Sequence, residues 1–116
     1  VGTIAEQIKM LSSKAREGKL GPKDLQGATF SVSNIGSIGG GVVAPIIVEP
    51  QVAIVGVGRA KVVPGFDEQG NVVKKEEMVL SWSADHRVVD GAECARCAER
   101  VNWYLQNMEA WMLEMK

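Results

Sequence analysis

The stretch from Val79 to Gly91, V-L-S-W-S-A-D-H-R-V-V-D-G, decides the local fold because a strand, a tight turn and a helix start follow one another in it. Its first half is an apolar, strand-like run. The turn holds His86, the only histidine of the chain. Histidine is the side-chain type whose ordinary pKa lies near neutrality, so His86 is the one ready candidate for general acid–base chemistry. A satisfied turn histidine is the alternative interpretation.

Asp90 follows His86 by four residues, where the helical pattern begins. With Glu93 three residues further on, it has the spacing of an N-terminal capping box. This capping function is compatible with a second role beside His86, because a capped turn holds the backbone of the histidine rigid.

The composition is that of an ordinary globular protein. The chain has 116 residues, of which 46% are hydrophobic and 23% charged, and this length suits one domain with its own core. A net charge of -1 argues against a broad surface for nucleic acid or an anionic membrane. No apolar run approaches the ~20 residues of a membrane span, and no signal or transit peptide is recognisable. The chain starts without Met in a helical pattern, so we expect an internal piece of a longer protein.

Periodicity predicts α+β layers with a largely antiparallel hairpin. The first helix is predicted over 3–18, with a Thr3–Glu6 capping box and a stop at Gly18. The remaining predicted elements are a strand over 29–33, a glycine-rich turn over 34–41, strands over 52–63 and 72–83 joined by a turn at 67–71, and helices over 91–106 and 108–115.

The glycine-rich turn follows Ser33 and lacks the Gly-Lys-Ser/Thr of a phosphate loop. Gly56-Val57-Gly58 likewise lacks the third glycine of a dinucleotide fingerprint. We interpret the turn as a place where the backbone closely approaches a ligand or another subunit. Ser33 is a candidate nucleophile of a Ser–His–Asp triad, or a hydroxyl donor to a developing oxyanion, and the residue types alone do not choose between these.

Cys94 and Cys97 form a C-x-x-C that lies a turn into the predicted helix, so we interpret both as structural, reduced cysteines. One histidine and no further cysteine cannot complete a standard zinc site, and we expect no metal. The three tryptophans, Trp82, Trp103 and Trp111, do not alternate closely with basic residues, so we do not interpret them as a nucleic-acid stacking platform. We expect core or subunit-interface positions for them.

Three motifs, D-H-R-V-V-D-G at 85–91, S-W-S-A at 81–84 and S-N-I-G-S-I-G-G at 33–40, resemble the catalytic domain of the dihydrolipoamide acyltransferases. Members of this family form the cores of the 2-oxo acid dehydrogenase complexes. The residues of these motifs resemble the branched-chain member most. The resemblance implies an α/β (α+β) two-layer sandwich of the chloramphenicol-acetyltransferase type, with a mixed sheet and helices on one face. The family's domain is longer and its missing part is N-terminal, so residues 1–116 are expected to be the C-terminal part of that domain.

The resemblance also implies roles for individual residues. The family moves an acyl group between a dihydrolipoyl thiol and coenzyme A, and the histidine matching His86 is its general base. The acid matching Asp90 helps to hold the histidine loop. The serine matching Ser33 comes from the adjacent subunit and stabilises the oxyanion. Four positions match the coenzyme A site: Ser33, Asn34, Gly58 and Ala60.

The partners implied by the resemblance are other copies of the chain and the other components of the complex. The family assembles as trimers, with active sites between neighbouring subunits, and the trimers build a cubic or icosahedral core. The lipoyl group is carried on a separate domain, and the decarboxylase and dihydrolipoamide dehydrogenase are the further partners. The implied location is the mitochondrial matrix, or the cytoplasm in a bacterium. The alternative is a non-catalytic core subunit that recruits dihydrolipoamide dehydrogenase, although such a subunit has no need to retain His86, Asp90 and Ser33.

Overall fold

The computed structural model describes residues 1–115, which form two β-sheets and three α-helices. The elements, in chain order, are α1 (Gly2–Arg16), a 3-10 helix (Pro22–Leu25), β1 (Ser31–Asn34), β2 (Ala53–Val57), β3 (Lys61–Phe66), β4 (Val72–Glu77), β5 (Leu80–Ala84), α2 (Gly91–Gln106) and α3 (Met108–Glu114).

The first sheet is three-stranded and mixed, in the order β1-β2-β5, which confirms the predicted mixed sheet. β1 runs parallel to β2, and β5 runs antiparallel to it. Val55 pairs with Val32 on one side and Trp82 on the other. Ile54 and Val55 are the buried apolar side chains among the described residues, so the apolar half of the predicted long strand is the centre of the sheet.

The second sheet is the hairpin of β3 and β4. Its turn forms where the sequence predicted it: Asp67 Oδ1 accepts hydrogen bonds from the backbone N–H groups of Gln69 (3.0 Å) and Asn71 (2.8 Å). Gly70 adopts φ +85°, a conformation that glycine takes without steric cost.

Two of the predicted strands are each interrupted in the structure, so the prediction that they are continuous is wrong. The interruptions lie near Gly58 and near Met78. The stretch 52–63 divides into β2 and β3, and 72–83 divides into β4 and β5. At the first interruption, Gly58 N–H still donates to Val79 O (3.0 Å), but Arg59 N–H donates to Gly40 O (3.0 Å) in the glycine-rich turn. The turn thus removes Arg59 from the strand ladder, and this tertiary contact is invisible in the local pattern.

The first helix begins earlier than predicted, and the expected Thr3–Glu6 capping box does not form. Ala5 N–H already donates to Val1 O (3.0 Å), so Thr3 lies inside the first turn and no side chain caps the helix. The predicted stop is confirmed. Gly18 has φ +66°, and the bonds Gly18 N→Ala15 O (3.1 Å) and Lys19 N→Lys14 O (2.8 Å) make a Schellman end.

α2 lies against β5, and the apolar residues that recur along it at helical spacing are only partly covered. Cys94, Ala98 and Val101 are half-buried, whereas Leu105 is exposed. Trp82 packs on Phe30 with ring centroids 6.0 Å apart. Trp103 and Trp111 are exposed in this chain, so the expected core position is wrong for these two, and a subunit-interface position stays a prediction. The Arg100 guanidinium stacks 5.1 Å from the Trp103 ring centroid.

The described chain leaves much apolar surface uncovered, and its core of Ile54 and Val55 is smaller than expected for one domain of this length. Its radius of gyration is 17.0 Å, against about 13 Å for a compact chain of this size. Its surface of 9436 Å² also exceeds the roughly 6,200 Å² of a compact monomer. The most exposed apolar side chains are Leu113, Ile38 and Ile46. No helix among the described residues has the length and apolarity that crossing a membrane requires.

Candidate functional site

His86 lies in a tight turn at the end of the sheet where β2 begins. β5 ends at Ala84, which pairs with Ala53, and Asp85 N–H then donates to Val52 O (2.8 Å). Asp85 O accepts from Val88 N–H (3.0 Å) and Val89 N–H (2.9 Å), which reverses the chain around the histidine. His86 itself is exposed, so its imidazole is accessible to a reacting group.

An ion pair flanks His86 on both sides. Arg87 Nε donates to Asp85 Oδ1 (2.9 Å), Arg87 Nη2 donates to Asp85 Oδ2 (2.6 Å), and the backbone N–H of Arg87 also donates to Asp85 Oδ1 (3.0 Å). The side-chain hydrogen bonds from Arg87, followed by its backbone N–H, lower the pKa of the Asp85 carboxyl to about 2. This arrangement was not predicted, although opposite charges on either side of His86 are visible in the sequence.

Asp90 caps α2, because its Oδ1 accepts a hydrogen bond from Glu93 N–H (2.7 Å). This confirms one half of the predicted capping box; the reciprocal bond from Asp90 N–H to the Glu93 side chain is not among the hydrogen bonds of the described residues. Among the hydrogen bonds of residues 1–115, none joins Asp90 to His86. The observed contact of the Asp90 carboxylate is with the start of α2, and its family-implied role in holding the histidine turn stays a prediction.

Ser33 lies at the opposite end of the sheet from His86. It pairs with Gly56, whereas the histidine turn is bonded to Val52 on the same central strand. Four residue steps amount to roughly 13 Å along the strand, and two strand spacings to roughly 10 Å across the sheet. The two side chains of one chain are therefore out of contact, and the single-chain triad of Ser33, His86 and Asp90 is excluded.

The glycine-rich turn after Ser33 folds back onto the chain near Gly58. Asn34 Oδ1 accepts from Gly36 N–H (3.0 Å), and Ile35 N–H donates to Val57 O (3.2 Å). The Arg59 side chain donates from Nε to Gly36 O (3.0 Å) and from Nη2 to Ser37 O (3.4 Å). Like the pair of Asp85 and Arg87, Arg59 was not predicted from the sequence. Its two carbonyl partners are more than twenty residues away, so no local pattern indicates the contact.

Gly58 is buried and Ala60 is exposed, although both were predicted near coenzyme A. A Cβ on Gly58 would overlap the carbonyl oxygen of Gly41 and lie 3.3 Å from Val79 O. The close approach expected at the glycine-rich turn therefore includes the chain's own backbone. The structure gives Gly58 a packing function, and its contact with coenzyme A stays a prediction.

We expect Gly58→Ala to destabilise the fold by about 1–3 kcal/mol, because backbone atoms on two sides must move to admit the methyl group. The free energy of unfolding from denaturant titration measures this cost. Gly39→Ala is the matched control, since a Cβ there meets nothing within 4 Å. Equal stability of the two variants would contradict the packing function of Gly58.

Two further features of the chain are a cavity beside the start of β2 and a pair of free cysteines in α2. A cavity of about 670 Å³, lined by residues 25–29 and 48–52, opens beside the start of β2, the strand end that bonds to the histidine turn. Cys94 is half-buried, Cys97 is exposed, and both are free thiols. Within residues 1–115, no group of three or more His, Cys, Asp or Glu side chains is placed to hold a metal ion.

The chain is similar to acyltransferases of the 2-oxoacid dehydrogenase complexes. Residues 1–113 match the family described as 2-oxoacid dehydrogenases acyltransferase (catalytic domain). The chain is 45% identical over 113 residues to the mouse lipoamide acyltransferase component of the mitochondrial branched-chain alpha-keto acid dehydrogenase complex, a match that covers 97% of this chain and 23% of that protein. It is 40% identical over 111 residues to the Staphylococcus aureus acetyltransferase component of the pyruvate dehydrogenase complex, covering 96% and 26%. The chain thus spans about a quarter of these relatives.

Solved structures share the fold. The Azotobacter vinelandii dihydrolipoamide acetyltransferase has a TM-score of 0.86 at 40% identity, over 93% of this chain and 44% of that one. The cubic core of the pyruvate dehydrogenase multienzyme complex gives a TM-score of 0.86 at 39% identity, with the same coverage. In the Azotobacter protein, a serine, a histidine and an asparagine have been investigated for their role in the catalytic mechanism. The histidine follows the serine by 52 residues and precedes the asparagine by four.

Proposed function

Since the chain belongs to the catalytic-domain family of the 2-oxoacid dehydrogenase acyltransferases, we propose that the protein carrying it transfers an acyl group from a dihydrolipoyl thiol to coenzyme A. The single observation that carries this proposal is the exposed His86 in a turn fixed at both ends, by the Asp85 backbone bonds and by the Asp90 cap. We further propose a branched-chain acyl group, in line with the mitochondrial branched-chain relatives.

The spacing of the site residues supports their roles. Asp90 follows His86 by four residues, as the asparagine follows the histidine in the Azotobacter protein. Ser33 precedes His86 by 53 residues, against 52 in that protein. An aspartate here in place of the asparagine keeps a hydrogen-bond acceptor at the helix start, and both residue types are preferred N-caps.

The proposed mechanism uses one base in both directions. His86 accepts the proton of the coenzyme A thiol, and the resulting thiolate attacks the carbonyl carbon of the acyl-dihydrolipoyl thioester. The tetrahedral oxyanion accepts a hydrogen bond from the Ser33 hydroxyl. When the intermediate collapses, the bond to the dihydrolipoyl sulfur breaks, and that sulfur takes the proton back from His86. A thiol's ordinary pKa of ~8.5 lies close enough to that of an imidazole for this transfer to be inexpensive.

We place the complete site between two copies of the chain. The register of β1, β2 and β5 separates Ser33 from His86 within one copy, so a serine that reaches the histidine must come from another. The uncovered apolar surface of the chain supports assembly with further copies. We also propose that trimers of the chain build the core of the complex. Its further partners would be the decarboxylase and dihydrolipoamide dehydrogenase components, and its location the mitochondrial matrix or a bacterial cytoplasm. The chain alone, as a monomer, is expected to be inactive.

The proposed substrate is tested with a panel of acyl-dihydrolipoamides and coenzyme A, using the full-length protein in its native assembly. We expect isobutyryl and isovaleryl groups to give a kcat/KM at least about tenfold above that of the acetyl group, since a single methylene in an apolar pocket already discriminates by about 10–200-fold. Preference for acetyl would contradict the branched-chain assignment only. Background rates with every acyl group would contradict acyl transfer and favour the non-catalytic core subunit.

A further inference from the structure

We propose that Asp85 and Arg87 together position His86, by closing an ion pair across the backbone of the histidine. This inference rests on the proposed function, because it concerns the same base. Asp85 and Arg87 are positioning residues in this account: they act on the orientation of His86 and touch no reacting atom.

The geometry of the pair has two functions at once. The Asp85 carboxylate accepts the backbone N–H of Arg87 (3.0 Å), which tightens the turn, and it accepts two side-chain N–H groups of the same arginine. The Asp85 carbonyl accepts from Val88 and Val89, which fixes the chain after the histidine. The two peptide bonds that flank His86 therefore lie between Asp85 and Arg87, whose side chains bind each other. A bidentate Arg–carboxylate pair also fixes the direction of this contact.

The pair contributes to orientation more than to stability. The Arg87 side chain is 83% exposed, and exposed ion pairs add little to the free energy of folding. The pKa of Asp85 is lowered and that of Arg87 is raised by their mutual hydrogen bonds, and both groups are charged throughout the neutral range. Loss of the pair should therefore release the histidine turn while the sheet and α2 remain folded, so activity and stability respond differently.

The test compares Arg87→Gln, Asp85→Asn and the double variant in the assembled full-length protein. We expect kcat to fall about tenfold or more in each, since small displacements of a catalytic group are costly. The KM for coenzyme A should stay within about twofold and the melting temperature within about 2 °C. Because the two residues act as one unit, the double variant should be no slower than the slower single variant. Arg87→Lys should recover part of the rate, since lysine keeps the charge without the bidentate fork.

Lys19→Gln is the matched control, because Lys19 forms an exposed ion pair with Glu17 (2.6 Å) away from the histidine turn. A kcat within about twofold of wild type in both single variants would overturn the positioning role. A melting temperature that falls in step with the rate would also overturn it, in favour of a purely structural pair. His86→Ala, assayed alongside, separates the two proposals: a normal rate there removes the proposed function, whereas a normal rate only in Arg87→Gln and Asp85→Asn removes this inference.

Discussion

Replacing His86 with alanine lowers the rate of acyl transfer to coenzyme A by about 10²–10⁴-fold, the contribution expected of a positioned general base. The alanine side chain cannot accept the thiol proton, so only the small fraction of coenzyme A already present as thiolate can attack. The effect is expected in kcat, with a smaller change in the KM for either substrate. The measurement is the steady-state rate with acyl-dihydrolipoamide and coenzyme A in the native assembly.

The fold should tolerate this change, because the His86 side chain is exposed and its turn is held by the backbone bonds of Asp85. Gln69→Ala, in the turn between β3 and β4, is the matched control for an exposed turn position and should keep the full rate. A rate within a factor of ten of wild type in His86→Ala would rule out the general-base role, provided that assembly is intact in both variants.

Replacing Ser33 with alanine lowers kcat by about 10²–10³-fold, the cost typical of removing one hydrogen-bond donor to an oxyanion. Ser33 lies in β1, an edge strand of the sheet, and is half-buried. Alanine fits the same backbone, so the sheet should remain intact. Since the mechanism needs no covalent intermediate, intact-mass measurement of the wild-type protein with acyl-dihydrolipoamide should detect no acyl adduct at Ser33. An acyl-Ser33 adduct would support the nucleophilic alternative instead.

Much of the fold followed from local patterns. Helical periodicity located α2 at its observed bounds, Gly18 ended α1, and Asp67 to Asn71 formed the predicted hairpin turn. These features depend on contacts between residues close in sequence, which a single sequence reveals. The break near Gly58 depends instead on the glycine-rich turn, which lies about twenty residues earlier in the chain and accepts the Arg59 N–H hydrogen bond at Gly40 O. No local pattern contains that contact.

The candidate site could likewise be predicted from the sequence only where its residues are contiguous. The motif around His86 and the N-cap at Asp90 were recognisable in the sequence, because the turn, the cap and the helix start are contiguous. The ion pair of Asp85 and Arg87 was visible as two charges but not as a bidentate contact, which requires side-chain geometry. The separation of Ser33 from His86 needed the strand register, since the order and direction of β1, β2 and β5 cannot be read from their patterns alone.

The central claim is that each active site takes His86 from one chain and Ser33 from another. The most direct measurement mixes His86→Ala and Ser33→Ala subunits, dissociates and reassembles them together, and compares the rate with each variant reassembled alone. Random mixing in equal amounts puts an intact His86 opposite an intact Ser33 at about a quarter of the interfaces. We therefore predict recovery to about a quarter of the wild-type rate from two nearly inactive parents. No recovery, in mixed assemblies shown to contain both variants, would contradict the shared site.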